Sequence, residues 1–137
     1  MSGLGFMVCF DTDFVIALIR RDSRAERKLE EYVIGERRIS TTPITACELF
    51  KGAYRSKRRK VEVEKVRGVL MHVEILDFSA DACERYGKLE NELLSLGTPI
   101  GDLDAMIASL ALTHNEPLLT ANKKHFEKVP GLIVETW

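Results

Sequence analysis

The chain has 137 residues, 45% hydrophobic and 30% charged, with a formal net charge of −1. This is enough for one domain with its own core, and the composition excludes disordered, collagenous and disulfide-scaffold classes. No apolar run approaches the roughly 20 residues that span a bilayer, and Met1 to Phe10 lacks the basic and long apolar regions of a signal peptide, so a cytoplasmic protein with no membrane partner is expected.

The first element is the apolar run Met7 to Phe10, a buried strand that ends at Asp11. From Asp11 to Arg20 the apolar residues Phe14, Val15, Leu18 and Ile19 fall at helical spacing. A charged helix follows from about Ser23 to Ile34 and stops at Gly35, and Arg37 to Ser40 is a short strand. Thr42 then serves as N-cap with Pro43 at the first helical position, where its missing N–H costs nothing, and this helix runs to about Tyr54. Lys57 to Met71 reads as another helix and Val73 to Phe78 as a strand. Ser79 caps a helix to Leu96, which Gly97 and Pro99 break. Asp102 to Thr113 is a helix against the core, and Pro117 to Thr120 and Leu132 to Val134 are the last strands. Alternating strands and helices argue for an α/β sandwich around a parallel sheet. Ligands collect at the carboxyl ends of such strands. That rule singles out Asp11, Thr41 and Thr42, and the segment from Thr120 to Asn122.

Three acids at these places can carry chemistry. Asp11 follows the first strand, where it is either a helix cap or a ligand; Asp13 reads as a solvent-facing residue of the first turn. Glu48, four residues after Ile44, lies near the edge of an apolar helical stripe and either stays on the rim or points into a cleft. Asp102 and Asp104 open a helix whose N-terminus favours a charged carboxylate, with Asp102 suited to the N-cap and Asp104 left to point elsewhere. Carboxylates gathered in a partly dry cleft repel one another, a divalent cation removes that cost, and oxygen ligands suit Mg²⁺ or Mn²⁺. Cys9, Cys47 and Cys83 fit no zinc spacing and are expected to be buried, reduced thiols. His72, His114 and His125 are scattered, in structural or phosphate-facing roles. Between Lys51 and Arg67 eight basic residues face only Glu62 and Glu64, either a solvated helix face or a phosphate-binding patch.

Four blocks in order resemble the PIN-domain family, in particular VapC-type toxin ribonucleases. They are Met7 to Arg20, with Phe10-Asp11-Thr12-Asp13; Ile44 to Gly52, with Glu48-Leu49; Pro99 to Ser109, where Asp104 precedes Ile107-Ala108; and Leu119 to Phe126 with Pro130-Gly131-Leu132. The resemblance covers nearly the whole chain. It implies a three-layer α/β sandwich with a short central parallel sheet flanked by helices, one domain over 1–137; Met1 to Phe6 precedes the match, as either an alternative translation start or a mobile tail. It implies an endoribonuclease that hydrolyses RNA phosphodiesters with Mg²⁺ or Mn²⁺ and leaves a 5′-phosphate and a 3′-hydroxyl. The matching acids are Asp11, Glu48 and Asp104, as metal ligands and catalytic residues. Asp102 would be an accessory ligand through water or simply the cap, and Thr12, Thr120 and Asn122 would support the ligands. The family's fourth acid, expected at Asn122 or His125, is missing here, which puts a second metal in doubt. Members of this type pair with a small antitoxin that covers the cleft, and form homodimers. Arg58, Arg59 and Lys60 would then guide the RNA backbone.

Two other readings compete. A PIN fold with a weakened site would serve as an interaction module, which the missing fourth acid supports. Asp11-Thr12-Asp13 also resembles the Asp-x-Asp of haloacid-dehalogenase phosphatases, but Phe14 stands where that family has a small turn, and Met106 where its later acid should be.

Overall fold

The computed structural model describes residues 7–137; the tail expected at Met1 to Phe6 lies outside the described residues. In chain order the elements are β1 (Met7–Phe10), α1 (Thr12–Ile19), α2 (Ser23–Ile34), β2 (Arg38–Thr41), α3 (Pro43–Arg55), α4 (Arg59–Leu70), β3 (Glu74–Ile75), α5 (Ala80–Ser95), α6 (Asp102–Thr113), β4 (Leu118–Leu119), α7 (Lys123–Phe126) and β5 (Val134–Glu135). The five strands form one sheet in the order β3-β2-β1-β4-β5, and every pair is parallel.

The central strand shows why three layers form. Val8, Cys9 and Phe10 are completely buried, as a parallel strand covered on both faces must be. Their side chains alternate. Val8 and Phe10 enter a core with Phe14, Val15, Tyr32, Leu49 and Val66, supplied by α1 to α4. Cys9 enters a second core with Leu89, Leu93, Ile107, Leu110 and Phe126, supplied by α5, α6 and α7. Leu118 and Leu119 of β4 divide between the two cores in the same way.

Several expectations from sequence are revised. The run Val73 to Phe78 pairs only at Glu74–Ile75, and both residues are exposed on the sheet's edge. The last strand is Val134–Glu135, one residue beyond the expected Leu132 to Val134 at its C-terminal end, and the short α7 was not foreseen. Cys9 is buried as expected, but Cys47 and Cys83 are exposed. Cys47 lies beside the core-facing Ile44 and Leu49 in sequence but on the outer face of α3, because a helix turns neighbouring positions about 100° apart. No helix among the described residues is long and apolar enough to cross a membrane.

The connections explain where a site forms. The chain runs outward from β1 through β2 to β3, then crosses back through α5 and α6 to place β4 on the other side of β1. The order reverses between β1 and β4, and the carboxyl ends of the strands at such a reversal are where open α/β sheets bind ligands. Asp11 leaves β1 and Thr120 leaves β4 at that point, their strands joined by Asp11 N–H donating to the Leu119 carbonyl at 2.9 Å.

Candidate active site

Asp11 acts as both cap and site residue. Its Oδ1 accepts from the Thr12 amide at 2.8 Å, which starts α1, and its Oδ2 accepts from the Thr120 hydroxyl at 2.7 Å. The residue is only 6% exposed. Burial and then the neighbouring Asp13 charge push its carboxyl up to about 7; bonds from Thr120 and Thr12 oppose this, and Asp104 adds to it.

Asp13 departs from expectation. Rather than facing solvent, it turns toward the end of β4, where its Oδ2 accepts from the Ala121 amide at 3.0 Å and the Thr120 hydroxyl at 3.2 Å. Its Oδ1 is buried with no hydrogen-bond partner. Burial raises this carboxyl too, with Asp104 adding to the effect and bonds from Ala121, Thr120 and Phe14 opposing it. The sequence held a signal for this. Two acids two residues apart straddle the first turn of α1, and when the first caps the helix at a strand end the second is still close to the crevice.

Glu48 reaches the same place from α3. Its Oε1 accepts from the Thr12 hydroxyl at 2.7 Å, and Thr12 in turn lies 3.0 Å from the Thr45 hydroxyl. The Thr45 N–H donates to the Thr42 hydroxyl oxygen at 3.0 Å, so the expected Thr42–Pro43 helix start is present and sets the angle at which Glu48 projects. Thr12 thus ties Glu48 of α3 to the start of α1.

Asp104 projects from the first turn of α6. The expected cap at Asp102 is not formed. Gly101 holds the N-cap position at φ +93, no side chain caps the helix, and Asp102 is its exposed first residue. An aspartate at the first helical position has already taken helical backbone angles, so it cannot fold back as a cap. Asp104 Oδ2 lies 2.9 Å from His125 Nε2, which is also 2.9 Å from the Ile100 carbonyl. His125 is therefore a partner of the site. The resemblance marks His125 as a position of the family's fourth acid, but nothing in the sequence shows its contact with Asp104. Asn122 itself is exposed, and only its backbone N–H contributes, donating to Thr120 Oγ1 at 3.0 Å.

The crevice thus gathers Asp11, Asp13 and Thr120, with Glu48 joined through Thr12 and Asp104 within electrostatic reach. Among the described residues no three His, Cys, Asp or Glu side chains are arranged around a single ion. Glu48 is engaged by a hydroxyl and Asp104 by an imidazole. Arg58, Arg59 and Lys60 are all exposed, and Arg59 Nε donates to the Tyr54 carbonyl at 2.8 Å, closing the end of α3.

Comparison with known proteins identifies the family of the chain. The PIN domain family profile matches residues 8–132. The chain is 34% identical to Ribonuclease VapC2 of Rickettsia felis, over 93% of this chain and 95% of that protein. It is 32% identical to the tRNA(fMet)-specific endonuclease VapC of Salmonella typhimurium, over 98% of each. The structure of VapBC2 from Rickettsia felis bound to a promoter DNA fragment superposes with a TM-score of 0.90, at 32% identity, covering 96% of this chain and 99% of that one. A family match across nearly all of the chain leaves no place for the phosphatase reading. The chain belongs to the PIN-domain family, among its VapC-type members.

Proposed function

We propose that this protein is an endoribonuclease that hydrolyses RNA phosphodiesters at the Asp11–Asp13–Glu48–Asp104 crevice with Mg²⁺ or Mn²⁺, as the toxin of a toxin–antitoxin pair. The observation that carries the reading is the buried, unpartnered Asp13 Oδ1 beside an Asp11 whose carboxyl is raised to about 7. Two carboxylates that share one hydroxyl in a crevice hold more negative charge than their hydrogen bonds neutralise. Carboxylate oxygens of this kind fit a hard divalent cation.

Asp11 and Asp13 would hold the cation, with Asp104 and Glu48 completing its surroundings once they release His125 and Thr12; Asp102, exposed at the start of α6, would contribute through water. When bound, such a cation polarises a phosphoryl oxygen and offsets the charge that develops at phosphorus. The protein's own part is positioning and proton movement. Thr120 fixes the orientation of both aspartates, and Thr12 fixes Glu48 through Oε1 alone. The other oxygen of Glu48 is then free to take a proton from an attacking water. In-line attack by water leaves a 5′-phosphate and a 3′-hydroxyl.

Relatives named ribonuclease and tRNA(fMet)-specific endonuclease support RNA as the substrate, with tRNA(fMet) the first to try. The two-component VapBC2 structure supports a paired antitoxin, and a homodimer is proposed on the same resemblance. The test is cleavage of tRNA(fMet) and of total cellular RNA with and without Mg²⁺ or Mn²⁺. Cleavage should require the metal and fall at least about 100-fold in Asp11→Asn and in Asp104→Asn. Metal-independent cutting, or a 2′,3′-cyclic phosphate end, would reject this mechanism. If no RNA is cut while the chain still binds an antitoxin, the interaction-module reading stands instead.

A further inference from the structure

Next to Glu48, a groove of about 570 Å³ runs along the outer face of α3. Its wall is apolar, formed by Ile44, Phe78 and Leu103, and its rim carries Lys51 and Arg55. Phe78 is half-buried, on the segment joining β3 to α5, and Leu103, on the first turn of α6, is 49% exposed. Lys51 and Arg55 follow Glu48 by three and seven residues, so one face of α3 presents the acid and then the two cations in a row. The basic run from Lys51 to Arg67 is not uniform. Lys65 pairs with Glu62 and Arg67 with Glu64 within α4, and Arg59 is turned onto a backbone carbonyl. Among the described residues neither Lys51 nor Arg55 has a carboxylate within ion-pair distance.

We infer that this groove is a nucleotide subsite, which takes an unstacked base of single-stranded or looped RNA against Phe78 and Leu103 while Lys51 and Arg55 neutralise the adjoining phosphates. The inference rests on the nuclease reading and deepens it. A strand whose reacting phosphate lies at Asp11 and Glu48 must continue past Glu48, and α3 offers it an apolar wall with a cationic rim. A flat aromatic face beside positive charge is the pattern that binds single strands, because every base has a π-face and every linkage a negative charge. A duplex keeps its bases stacked inside and cannot use the wall. The groove also lies within the volume range of clefts that enclose small ligands.

The test is a fluorescence anisotropy titration of the full chain, in chelator so that nothing is cut, with a labelled RNA hairpin and a blunt RNA duplex of equal length. The hairpin should bind more tightly. Phe78→Leu keeps an apolar filling but loses the aromatic face; it should weaken hairpin binding about tenfold and leave duplex binding unchanged, and Phe78→Tyr should restore the hairpin. Lys51→Gln and Arg55→Gln should each reduce the salt slope of hairpin binding by about one. Circular dichroism confirms that each variant is folded. Equal wild-type binding of hairpin and duplex, or hairpin binding unchanged in Phe78→Leu, overturns the subsite. So does a Phe78→Leu variant that loses a protein partner yet holds the hairpin as wild type does, which would assign the groove to that partner. If these titrations fail while metal-dependent, Asp11-dependent cleavage persists, only the subsite falls; if cleavage is absent as well, the nuclease reading falls with it.

Discussion

One hydroxyl, that of Thr120, serves two carboxylates, donating to Asp11 and lying within bonding distance of Asp13. A single proton cannot satisfy both acceptors fully, and a cation would do so more completely. Thr120→Val should therefore lower Mn²⁺ affinity about 10–100-fold by loosening both aspartates. Titration calorimetry reads this directly, and an unchanged affinity would detach Thr120 from the site. A second buried acid, Glu116, accepts a hydrogen bond from the Ser40 hydroxyl, and its other oxygen is buried without a partner. Burial raises its carboxyl above the usual glutamate value, against the bond from Ser40. The folded state then binds the proton more tightly than the unfolded one, so stability is lost as pH rises from the ordinary glutamate value through the raised one. Glu116→Gln should flatten that decline and be the more stable protein at alkaline pH. Urea midpoints across a pH series decide it, and parallel curves for the two proteins would contradict it.

At the level of the element, the first turn of α6 is where a backbone choice reaches the chemistry. Gly101 holds φ +93 immediately before Asp102 and Asp104. A Cβ at Gly101 would meet nothing within 4 Å, so any penalty for a side chain there is conformational and not steric. Gly101→Ala should cost roughly 1–2 kcal/mol in urea unfolding, the range for forcing an L-residue into left-handed backbone. Because the change shifts the turn carrying Asp104, cleavage should fall by more than stability alone accounts for. A variant with unaltered unfolding free energy would show that the turn relaxes freely.

Across the whole molecule, the last strand is tied to the opposite half of the sheet. Arg37, between α2 and β2, makes two bonds of 3.0 Å to Glu135 and one of 3.1 Å to the Met7 carbonyl, while the Tyr32 hydroxyl donates to Glu135 at 2.8 Å. Burial works to raise the Glu135 carboxyl, but the bonds from Arg37 and Tyr32 and the Arg37 charge outweigh it and hold it below the ordinary value. Here the sign is opposite to that of Glu116. Stability from this clamp is present above the ordinary glutamate value and is lost as pH falls through the depressed one. Arg37→Met should cost about 2–3 kcal/mol at neutral pH, the scale of losing charge-assisted bonds in a mostly buried pair, and the loss should shrink in acid. Chemical denaturation at the two pH values checks both statements. A bound cation should act on the whole fold as well, raising stability by about 2.7 kcal/mol at 100 times its Kd, and Asp11→Asn should abolish that gain.

Much of this protein is legible locally. The parallel α/β class, the central strand and the Thr42–Pro43 helix start all come from patterns within a few residues of each position, since strand and helix periods and caps are short-range; Asp11, Glu48 and Asp104 are singled out together only by the resemblance across separate blocks. The very short edge strands are not legible, because the apolar residues Val73, Ile75, Leu76 and Phe78 run the length of the segment and only pairing with β2 decides which two residues join the ladder. Asp13 and His125 belong to the same group. Their roles depend on partners 107 and 21 residues away in the chain, Thr120 and Asp104, and no local pattern encodes so distant a contact. Exposure of Cys47 and Cys83 was likewise decided by which way each helix rolls onto the sheet. What the sequence determines alone is which residues can carry charge, cap a helix or fill a core. Which of them meet depends on the reversal of strand order between β1 and β4, because only closure of the sheet brings distant side chains within hydrogen-bonding distance.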